Sequence, residues 1–345
     1  MAGMKALLYE TFGGDIRVAD VPDPDAPDGG AVIRVTASGL CRSDWHAWVG
    51  HVDTVHLPHV PGHEFAGEIV AVGAGVQKWR VGDRVTTPFV NGCGRCTWCL
   101  SGQAQVCPDQ TQPGFTHWGS HAELVAVRAA DLNLVAVPDG ISDDAAASLG
   151  CRFATAYRAV TARAGIRPGE WLAVFGAGGV GLSAVQIAAG LGARVVAVDP
   201  SPDARSLAAE LGAELVLDAG PDTPAVIADA TDGGAHASLD AVGSAQIAAS
   251  AILSLRRRGR HVQVGLLADP ATAIPLGRVL AWELDVLGSH GMSAADYPQL
   301  LDLVTTGVLA PDRLLSRTVG FAEAAELLPA SGMPTAGITV LHPAG

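Results

Sequence analysis

The six cysteines of the chain form two groups with different spacing. Four of them follow the pattern C-x2-C-x2-C-x7-C, at Cys93, Cys96, Cys99 and Cys107. Four thiolates in one loop match a closed tetrahedral zinc site, in which Zn–S bonds are about 2.3 Å long. Two successive gaps of two residues argue against the alternative that some of these are unrelated buried thiols. Since four protein ligands leave no open position, we expect this zinc to be structural.

The remaining pair, Cys41 and Cys151, is widely separated in sequence. Taken alone, each is typical of a small core residue. His63, in Gly62-His63-Glu64, lies closer to Cys41. Two cysteines and one histidine would give zinc three ligands and leave one position for substrate, which is the arrangement of catalytic zinc sites. The sequence therefore predicts two zinc ions, one structural and one catalytic.

A glycine-rich segment follows the strand-like run Trp171–Phe175 and leads into a helix-like run. The segment reads G-x-G-x-x-G, in which Gly176 permits a tight turn, Gly178 lets the backbone approach a pyrophosphate and Gly181 lets helix and strand pack closely. The helix N-terminus offers free N–H groups to phosphates. We expect the dinucleotide to be bound by Gly176, Gly178, Gly179, Val180 and Gly181.

A second strand-like run, Arg194–Val198, ends at Asp199. A carboxylate at this position can bind the ribose hydroxyls and would repel a 2′-phosphate, so NAD is favoured over NADP. Asp199 could instead cap a turn before Pro200. Arg205 lies close enough in sequence to neutralise a phosphate, which leaves NADP as the alternative.

The elements that must position these residues change character along the chain. Up to about residue 150, short β-like runs are broken by Gly, Pro and Asp, which predicts a mainly antiparallel, barrel-like domain. Examples are Ala31–Ser38, Gly67–Val72 and Leu124–Val127. From Trp171 onward, strand-like and helix-like runs alternate, which predicts a doubly wound parallel sheet. The strand-like runs are Trp171–Phe175, Arg194–Val198, Glu214–Leu217, Ser238–Val242, His261–Val264 and Asp285–Leu287, and helix-like runs include Val180–Gly190 and Asp203–Leu211.

Composition narrows the class of protein. A length of 345 residues favours two domains, and 49% apolar with 17% charged residues is typical of a folded enzyme. The net charge of −13 argues against nucleic acid as a partner. The short basic run Arg256–Arg258 with Arg260 is interpreted as a solvated helix end. No apolar run is long enough for a membrane span, and the N-terminus lacks the features of a signal peptide, so we expect a cytoplasmic protein.

These motifs together resemble the zinc-dependent alcohol dehydrogenases of the medium-chain dehydrogenase/reductase superfamily. The resemblance covers nearly the whole chain, because its motifs occur in the order and spacing of that family. They are Cys41-Arg42-Ser43-Asp44, Gly62-His63-Glu64-Phe65-Ala66-Gly67 with Gly73 and Val76, the four-cysteine loop, Gly150-Cys151 and the glycine-rich segment.

The resemblance implies a GroES-like β-barrel catalytic domain over residues 1–154, a Rossmann domain over 155–288, and a return to the catalytic domain over 289–345. It also implies a homodimer or homotetramer and a small alcohol or carbonyl compound as substrate. Polyol or amino-alcohol dehydrogenases of the same superfamily often have a glutamate where this chain has Cys151, so simple alcohols or aldehydes are preferred.

The resemblance further implies roles for individual residues. Cys41, His63 and Cys151 would ligate the catalytic zinc, with Glu64 beside the metal and Asp44 orienting the histidine. Ser43 and His46 would carry the proton released from the alcohol to solvent. Positions implied to meet the cofactor or the substrate are Arg42 at the pyrophosphate, Thr155 and Val180 at the nicotinamide, and Phe89 and Phe115 in the substrate pocket, with Trp48 and Trp118 as further pocket candidates.

Two alternatives of other classes were weighed against this interpretation. A zinc-dependent nucleic-acid-binding module would account for the four-cysteine loop but not for the glycine-rich segment or the acidic charge. A non-catalytic descendant would have no need for the set Cys41, His63 and Cys151 together with Ser43 and His46. Both are therefore less favoured than an enzyme.

Overall fold

The computed structural model describes residues 3–267, 269, 271–329 and 337–343. Its strands are β1 (Gly3–Leu8), β2 (Arg17–Pro22), β3 (Ala31–Leu40), β4 (Phe65–Val72), β5 (Arg84–Thr86), β6 (Leu124–Val127), β7 (Val135–Ala136), β8 (Trp171–Phe175), β9 (Arg194–Val198), β10 (Leu215–Leu217), β11 (Ala235–Asp240), β12 (Leu255–Gln263), β13 (Asp285–Gly288), β14 (Leu315–Val319) and β15 (Ile338–Leu341).

Most of the residues in α-helices lie in the second half of the chain. The α-helices are α1 (Arg42–Trp48), α2 (Thr97–Leu100), α3 (Ala130–Asn133), α4 (Asp143–Ser148), α5 (Arg152–Arg158), α6 (Gly179–Gly190), α7 (Pro202–Glu210), α8 (Thr223–Ala230), α9 (Ala245–Leu253), α10 (Leu276–Trp282), α11 (Tyr297–Thr305) and α12 (Phe321–Leu327). A π-helix at Ala159–Arg163 continues α5 directly.

The first part of the chain forms a largely antiparallel sheet. Its strand order is β14-β15-β3-β4-β5-β7, and β6 also pairs with β3. Strands β1 and β2 make a separate antiparallel pair. The C-terminal strand β15 pairs with the end of β3, with Val340 opposite Gly39. The last segment of the chain therefore packs against the strand that leads to Cys41.

The middle of the chain forms a six-stranded parallel sheet of order β10-β9-β8-β11-β12-β13. The chain moves outward from β8 in one direction and then, from β11, in the other. Strand β8 is buried along its whole length, as expected for a central strand covered on both faces. Its carboxyl end lies at the point where the strand order reverses, which is where ligands bind in open sheets of this kind.

Two expectations about this sheet need correction. The basic run Arg256–Arg258 is not a helix end, because it lies in β12, which begins one residue beyond the cap of α9. The three side chains are exposed, and Arg257 lies over the ring of Trp282, 4.9 Å from its centroid. β12 is also longer than the expected run His261–Val264, since exposed arginines hide the apolar pattern of its first half.

No helix in the described part of the chain is long and apolar enough to cross a membrane. The largest cluster of buried apolar side chains extends across both sheets. Phe153 and Tyr157 of α5 belong to it, together with Leu182 of α6 and Tyr297 of α11. The helix that follows Cys151 is therefore packed against the helix that follows the glycine-rich segment.

Candidate active site

Two adjacent strands and one helix bring together the three predicted ligands of the catalytic metal. Cys41 directly follows β3, and His63 lies two residues before β4. Because Ser38 is opposite Phe65 in the antiparallel register, the ends of these strands lie side by side. Cys151 is the residue before α5. The ligand atoms of Cys41, His63 and Cys151 all lie within 4.8 Å of one another.

Asp44 fixes the orientation of His63. One oxygen of its buried carboxylate accepts hydrogen bonds from His63 Nδ1 at 2.9 Å and from the Gly62 N–H at 3.1 Å, and the other accepts from the Cys41 N–H at 2.9 Å. This leaves Nε2 of His63 buried and without a hydrogen-bond partner among the described residues. An imidazole held through one nitrogen, with the other facing two thiols, is the arrangement that zinc requires.

The charges around the site act differently on its three ligands. Burial alone would lower the pKa of His63, but the charge of Asp44 and its hydrogen bond raise it well above the usual value, whereas the pKa of Cys41 is lowered. Burial alone would raise the pKa of Asp44, but the charges of His63 and His121 and the hydrogen bonds to the carboxylate lower it overall. A hydrogen bond from Cys151 and the nearby charge of Arg152 lower the pKa of Cys41 well below its usual value, against the effect of burial. The pKa of Cys151 is raised correspondingly. Binding of a divalent cation would displace the remaining thiol proton.

The other four cysteines form a separate cluster around α2, with all four sulfur atoms within 4.8 Å of one another. The Sγ atom of Cys96 lies 3.5 Å from that of Cys99 and 3.7 Å from that of Cys107. Backbone N–H groups lower the pKa of Cys93 to about 6. A Cβ atom on Gly92 would lie only 2.7 Å from the Cys99 sulfur, so the cluster requires glycine there. This geometry is that of a closed four-thiolate site.

The glycine-rich segment turns from β8 into α6 as the sequence predicted. Gly176 has a φ of +91°, and a Cβ atom on Gly181 would overlap the carbonyl oxygen of Gly176. A Cβ atom on Gly178, by contrast, would meet no atom within 4 Å. The backbone at Gly178 therefore faces open space, at the N-terminus of a twelve-residue helix. A pyrophosphate could approach the chain there.

Asp199 lies at the end of β9 beside this turn. Its carboxylate accepts hydrogen bonds from the Ala177 N–H at 2.7 Å and from the Ser201 N–H at 2.8 Å. Arg205 donates to the Asp199 carbonyl oxygen at 2.7 Å and pairs with Asp218 at 3.5 Å. Asp199 therefore both stabilises the turn and lies next to the dinucleotide segment, while Arg205 already has two acidic or carbonyl partners.

Three of the predicted residues surround the metal ligands. The Ser43 hydroxyl lies 3.7 Å from the sulfur of Cys41. The ring of Phe115 is 4.9 Å from the ring of His63, measured between centroids, and that of Phe89 is 6.1 Å away. The side of the site next to His63 is thus aromatic and apolar.

The other predicted residues are placed less closely. His46 is half-buried, and its Nδ1 lies 3.1 Å from Nδ1 of His51, which is exposed. Thr155 is buried in α5, and its hydroxyl has no partner among the described residues. Val180 is partly buried at the second position of α6. Arg42 is exposed at the start of α1, close enough for its charge to lower the pKa of His46.

Sequence reasoning missed a partner of Glu64. The Glu64 carboxylate is buried and accepts hydrogen bonds from the backbone N–H and the guanidinium group of Arg152. It is not in the group of ligand atoms that lie within 4.8 Å of one another. His290 was also missed, with its ring 5.3 Å from that of Phe89. For the partner of Glu64, the available signal in the sequence was Arg152 itself, a charged residue directly after the predicted metal ligand Cys151.

Comparison with known proteins agrees with this geometry. A family described as "Alcohol dehydrogenase GroES-like domain" matches residues 27–139, and one described as "Zinc-binding dehydrogenase" matches residues 179–306. An alcohol dehydrogenase of Geobacillus stearothermophilus is 37% identical over 306 residues, covering 88% of this chain and 90% of that protein. A sorbitol dehydrogenase of Halalkalibacterium halodurans is 34% identical over 307 residues, covering 87% and 88%.

Among solved structures, the alcohol dehydrogenase TADH from Thermus sp. ATN1 is similar with a TM-score of 0.90 and 31% identity, covering 98% of this chain and 99% of that one. The predicted combination of a GroES-like barrel and a Rossmann domain is thereby confirmed. Fold and site define an oxidoreductase of the medium-chain dehydrogenase/reductase superfamily. Within it, the chain belongs to the zinc-binding alcohol dehydrogenase family.

Proposed function

We propose that the protein binds two zinc ions per chain and uses NAD to oxidise small apolar alcohols or to reduce the corresponding carbonyl compounds. The observation that carries this proposal is the buried Nε2 atom of His63, which has no hydrogen-bond partner in the described part of the chain and faces Cys41 and Cys151 while Asp44 holds the other ring nitrogen. A buried polar atom without a partner is costly unless a ligand satisfies it.

The residues present fit zinc at both cysteine clusters and NAD at the glycine-rich segment. Cys41, His63 and Cys151 would hold the catalytic zinc, and the four-cysteine cluster the structural one. The open backbone at Gly178 and the carboxylate of Asp199 would bind NAD. Zinc would supply a Lewis acid for the alcohol oxygen, and NAD would supply the hydride acceptor.

Two side chains of α1 would handle the proton. Ser43 lies next to a metal ligand, where its hydroxyl can accept the proton of the alcohol while releasing its own proton toward His46 and solvent. His46 lies one helical turn further on and reaches the exposed His51. Burial and the charges of Arg42 and His51 lower the pKa of His46, so the ring is neutral and able to accept a proton near neutral pH. Phe89 and Phe115 would orient the organic part of the substrate.

We also propose the division into residues 1–154, 155–288 and 289–345, and assembly into a homodimer or homotetramer. Support for assembly comes from the edge strand β13, which is mostly exposed and has no partner beyond β12 in the described part of the chain. Val286 of that strand is 40% exposed, and Leu280 of the adjacent α10 is 82% exposed. Uncovered apolar groups at a sheet edge favour pairing with a second copy.

Unpaired cysteines at both proposed metal sites favour a reducing compartment such as the cytoplasm.

Metal analysis combined with a substrate panel tests the main proposal. Purified protein should contain two zinc ions per chain and reduce NAD with primary or benzylic alcohols in preference to sorbitol. The aromatic surroundings of His63 are the reason, because they offer few hydrogen-bond partners to a polyol. A fully active sample with one zinc ion or none would contradict the zinc assignment, and a preference for sorbitol would favour the polyol alternative.

The cofactor assignment has its own test. Replacing Asp199 with Gly removes the carboxylate that would bind the ribose and repel a 2′-phosphate. We expect kcat/KM with NAD to fall and the preference over NADP to narrow or invert. Asp229→Asn is a suitable control, since it removes an exposed carboxylate of α8 from the same domain. If the unaltered protein were more efficient with NADP, the role of Asp199 would be wrong.

A further inference from the structure

Arg152 and Glu64 form a buried ion pair between the metal site and the dinucleotide segment. Arg152 is 6% exposed and Glu64 is not exposed at all. The backbone N–H of Arg152 donates to one carboxylate oxygen at 2.7 Å, Nε donates to both oxygens, and Nη2 donates to the second oxygen. A buried pair of this kind lasts only when its geometry is good, because both charges have lost their hydration.

The surroundings of the pair are shaped to hold it. A Cβ atom on Gly39, at the end of β3, would lie 2.9 Å from Nη2 of Arg152, so a larger residue would displace the guanidinium group. A Cβ atom on Gly179, the first residue of α6, would overlap Cδ of Arg152 and lie 3.4 Å from its Nη1 atom. The backbone of Arg152 therefore lies next to Cys151, and its side chain reaches the start of the proposed dinucleotide-binding helix α6.

One nitrogen of the guanidinium group is not used by the pair. Nε and Nη2 both bind Glu64, whereas Nη1 donates no hydrogen bond within the part of the chain that the structure describes. A Cβ atom built on Gly179 would lie 3.4 Å from both Nε and Nη1, so Nη1 lies close to the residue that follows the open backbone of Gly178. A guanidinium group oriented by a carboxylate on one side presents a fixed pair of donors on the other, which suits a phosphate oxygen.

We propose that Arg152 is a dinucleotide-binding residue whose Nη1 group donates to the pyrophosphate, and that Glu64 is the positioning residue that aims it. This inference rests on the proposed binding of NAD. It gives Glu64 a role toward the cofactor and not only toward the metal. It also makes the residue after a proposed metal ligand part of the cofactor site, so that Cys151 and Arg152, adjacent at the start of α5, join the two sites.

Calorimetric titration of zinc-loaded protein with ADP-ribose and with AMP tests this inference without turnover. Only ADP-ribose carries the pyrophosphate. The main variant is the double substitution Arg152→Met with Glu64→Gln, which removes both charges and leaves no unpaired buried carboxylate. Arg158→Lys, on the same helix, is the control. Arg152→Lys keeps the cation but not the two-sided geometry, and serves if the double variant does not fold.

The double variant should bind ADP-ribose about ten- to a hundredfold more weakly and AMP as tightly as the unaltered protein, since one charged hydrogen bond is lost. Glu64→Gln alone should give a smaller loss that is again restricted to ADP-ribose. Unchanged binding of ADP-ribose in the double variant and in Arg152→Lys would overturn the inference, as would equal weakening of both ligands. If the unaltered protein bound neither ligand, the proposed use of NAD would fail with it.

Discussion

Both groups of cysteines in this protein present sulfur atoms to a common centre, but they are assembled differently. The four-cysteine cluster takes all its ligands from one short loop, and Cys93 and Cys96 at its surface are only partly buried. The other site gathers Cys41, His63 and Cys151 from three distant segments and encloses them in the core.

The difference fits the roles proposed for the two clusters, one closed around a structural metal and one open to substrate. The loop supplies four thiolates and needs little beyond glycines that permit its turns. The second site supplies three ligands and is surrounded by charged groups that hydrogen-bond those ligands or lie beside them. Asp44 binds His63, and Arg152 binds Glu64. Supporting groups of this kind are needed where a metal must stay reactive.

The sharpest test of this comparison replaces one cysteine in each cluster. Cys151→Ser should lower turnover to the detection limit while leaving the melting temperature within a few degrees, because its site is built on a packed core. Cys96→Ser should instead lower the melting temperature by about 5 °C or more, since structural zinc contributes folding energy. Zinc content should fall from two to one in each variant. Equal thermal destabilisation by both substitutions would remove the distinction.

The next largest effect is expected at the hydroxyl beside Cys41. Ser43→Ala removes the group proposed to accept the alcohol proton, and general acid–base groups contribute about 10²–10⁴-fold. We expect a loss of kcat near the upper end of that range with zinc content unchanged. Ser101→Ala is the matched control, because Ser101 lies beside the four-cysteine cluster and its hydroxyl donates to Trp98. A Ser43→Ala variant with normal kcat at neutral pH would exclude this step.

A smaller effect should come from the carboxylate that orients His63. Asp44→Asn keeps the size of the side chain but only one acceptor oxygen, so it loses either the bonds from His63 and Gly62 or the bond from Cys41, together with the negative charge. Metal affinity should fall about 10- to 100-fold, as measured by competition with a chelator. Asp143→Asn, in a more exposed ion pair with Arg84, should leave it unchanged. Unaltered affinity in Asp44→Asn would mean that packing alone orients His63.

The sequence predicted the parts of this molecule that are local. Strands β8 and β9 have the predicted bounds, because their buried apolar runs contrast with polar neighbours. The four-cysteine cluster was recognised whole because its ligands are adjacent. The first half of β12 was missed, since Arg256–Arg258 point to solvent and break the apolar pattern.

Contacts between distant segments could not be read in the same way. Glu64 and Arg152 are 88 residues apart, and no periodicity or motif links them. They meet because α4, which leads into Cys151 and α5, packs against β3 and β4, and this packing depends on the whole fold. Likewise, the contact between His46 and His51 depends on how the chain turns after α1.

The smallest expected effect concerns His46, and it depends on pH in a defined direction. Burial, with the charges of Arg42 and His51, holds the pKa of His46 below its usual value. The ring is therefore neutral and can accept a proton at neutral pH, and it loses this ability only as pH falls below the ordinary histidine value of about 6.5. His46→Gln should lower kcat about tenfold at pH 7, which is below the usual contribution of about 10²–10⁴-fold for general acid–base groups because water and buffer can take over. The deficit should shrink as pH rises, since hydroxide then accepts the proton directly.

A small external base such as imidazole should restore the rate of His46→Gln but not that of Ser43→Ala, because only the second variant lacks the hydroxyl at the proposed metal site. A deficit that stays constant between pH 6 and 9, measured as the ratio of kcat values, would show that His46 has only a structural role.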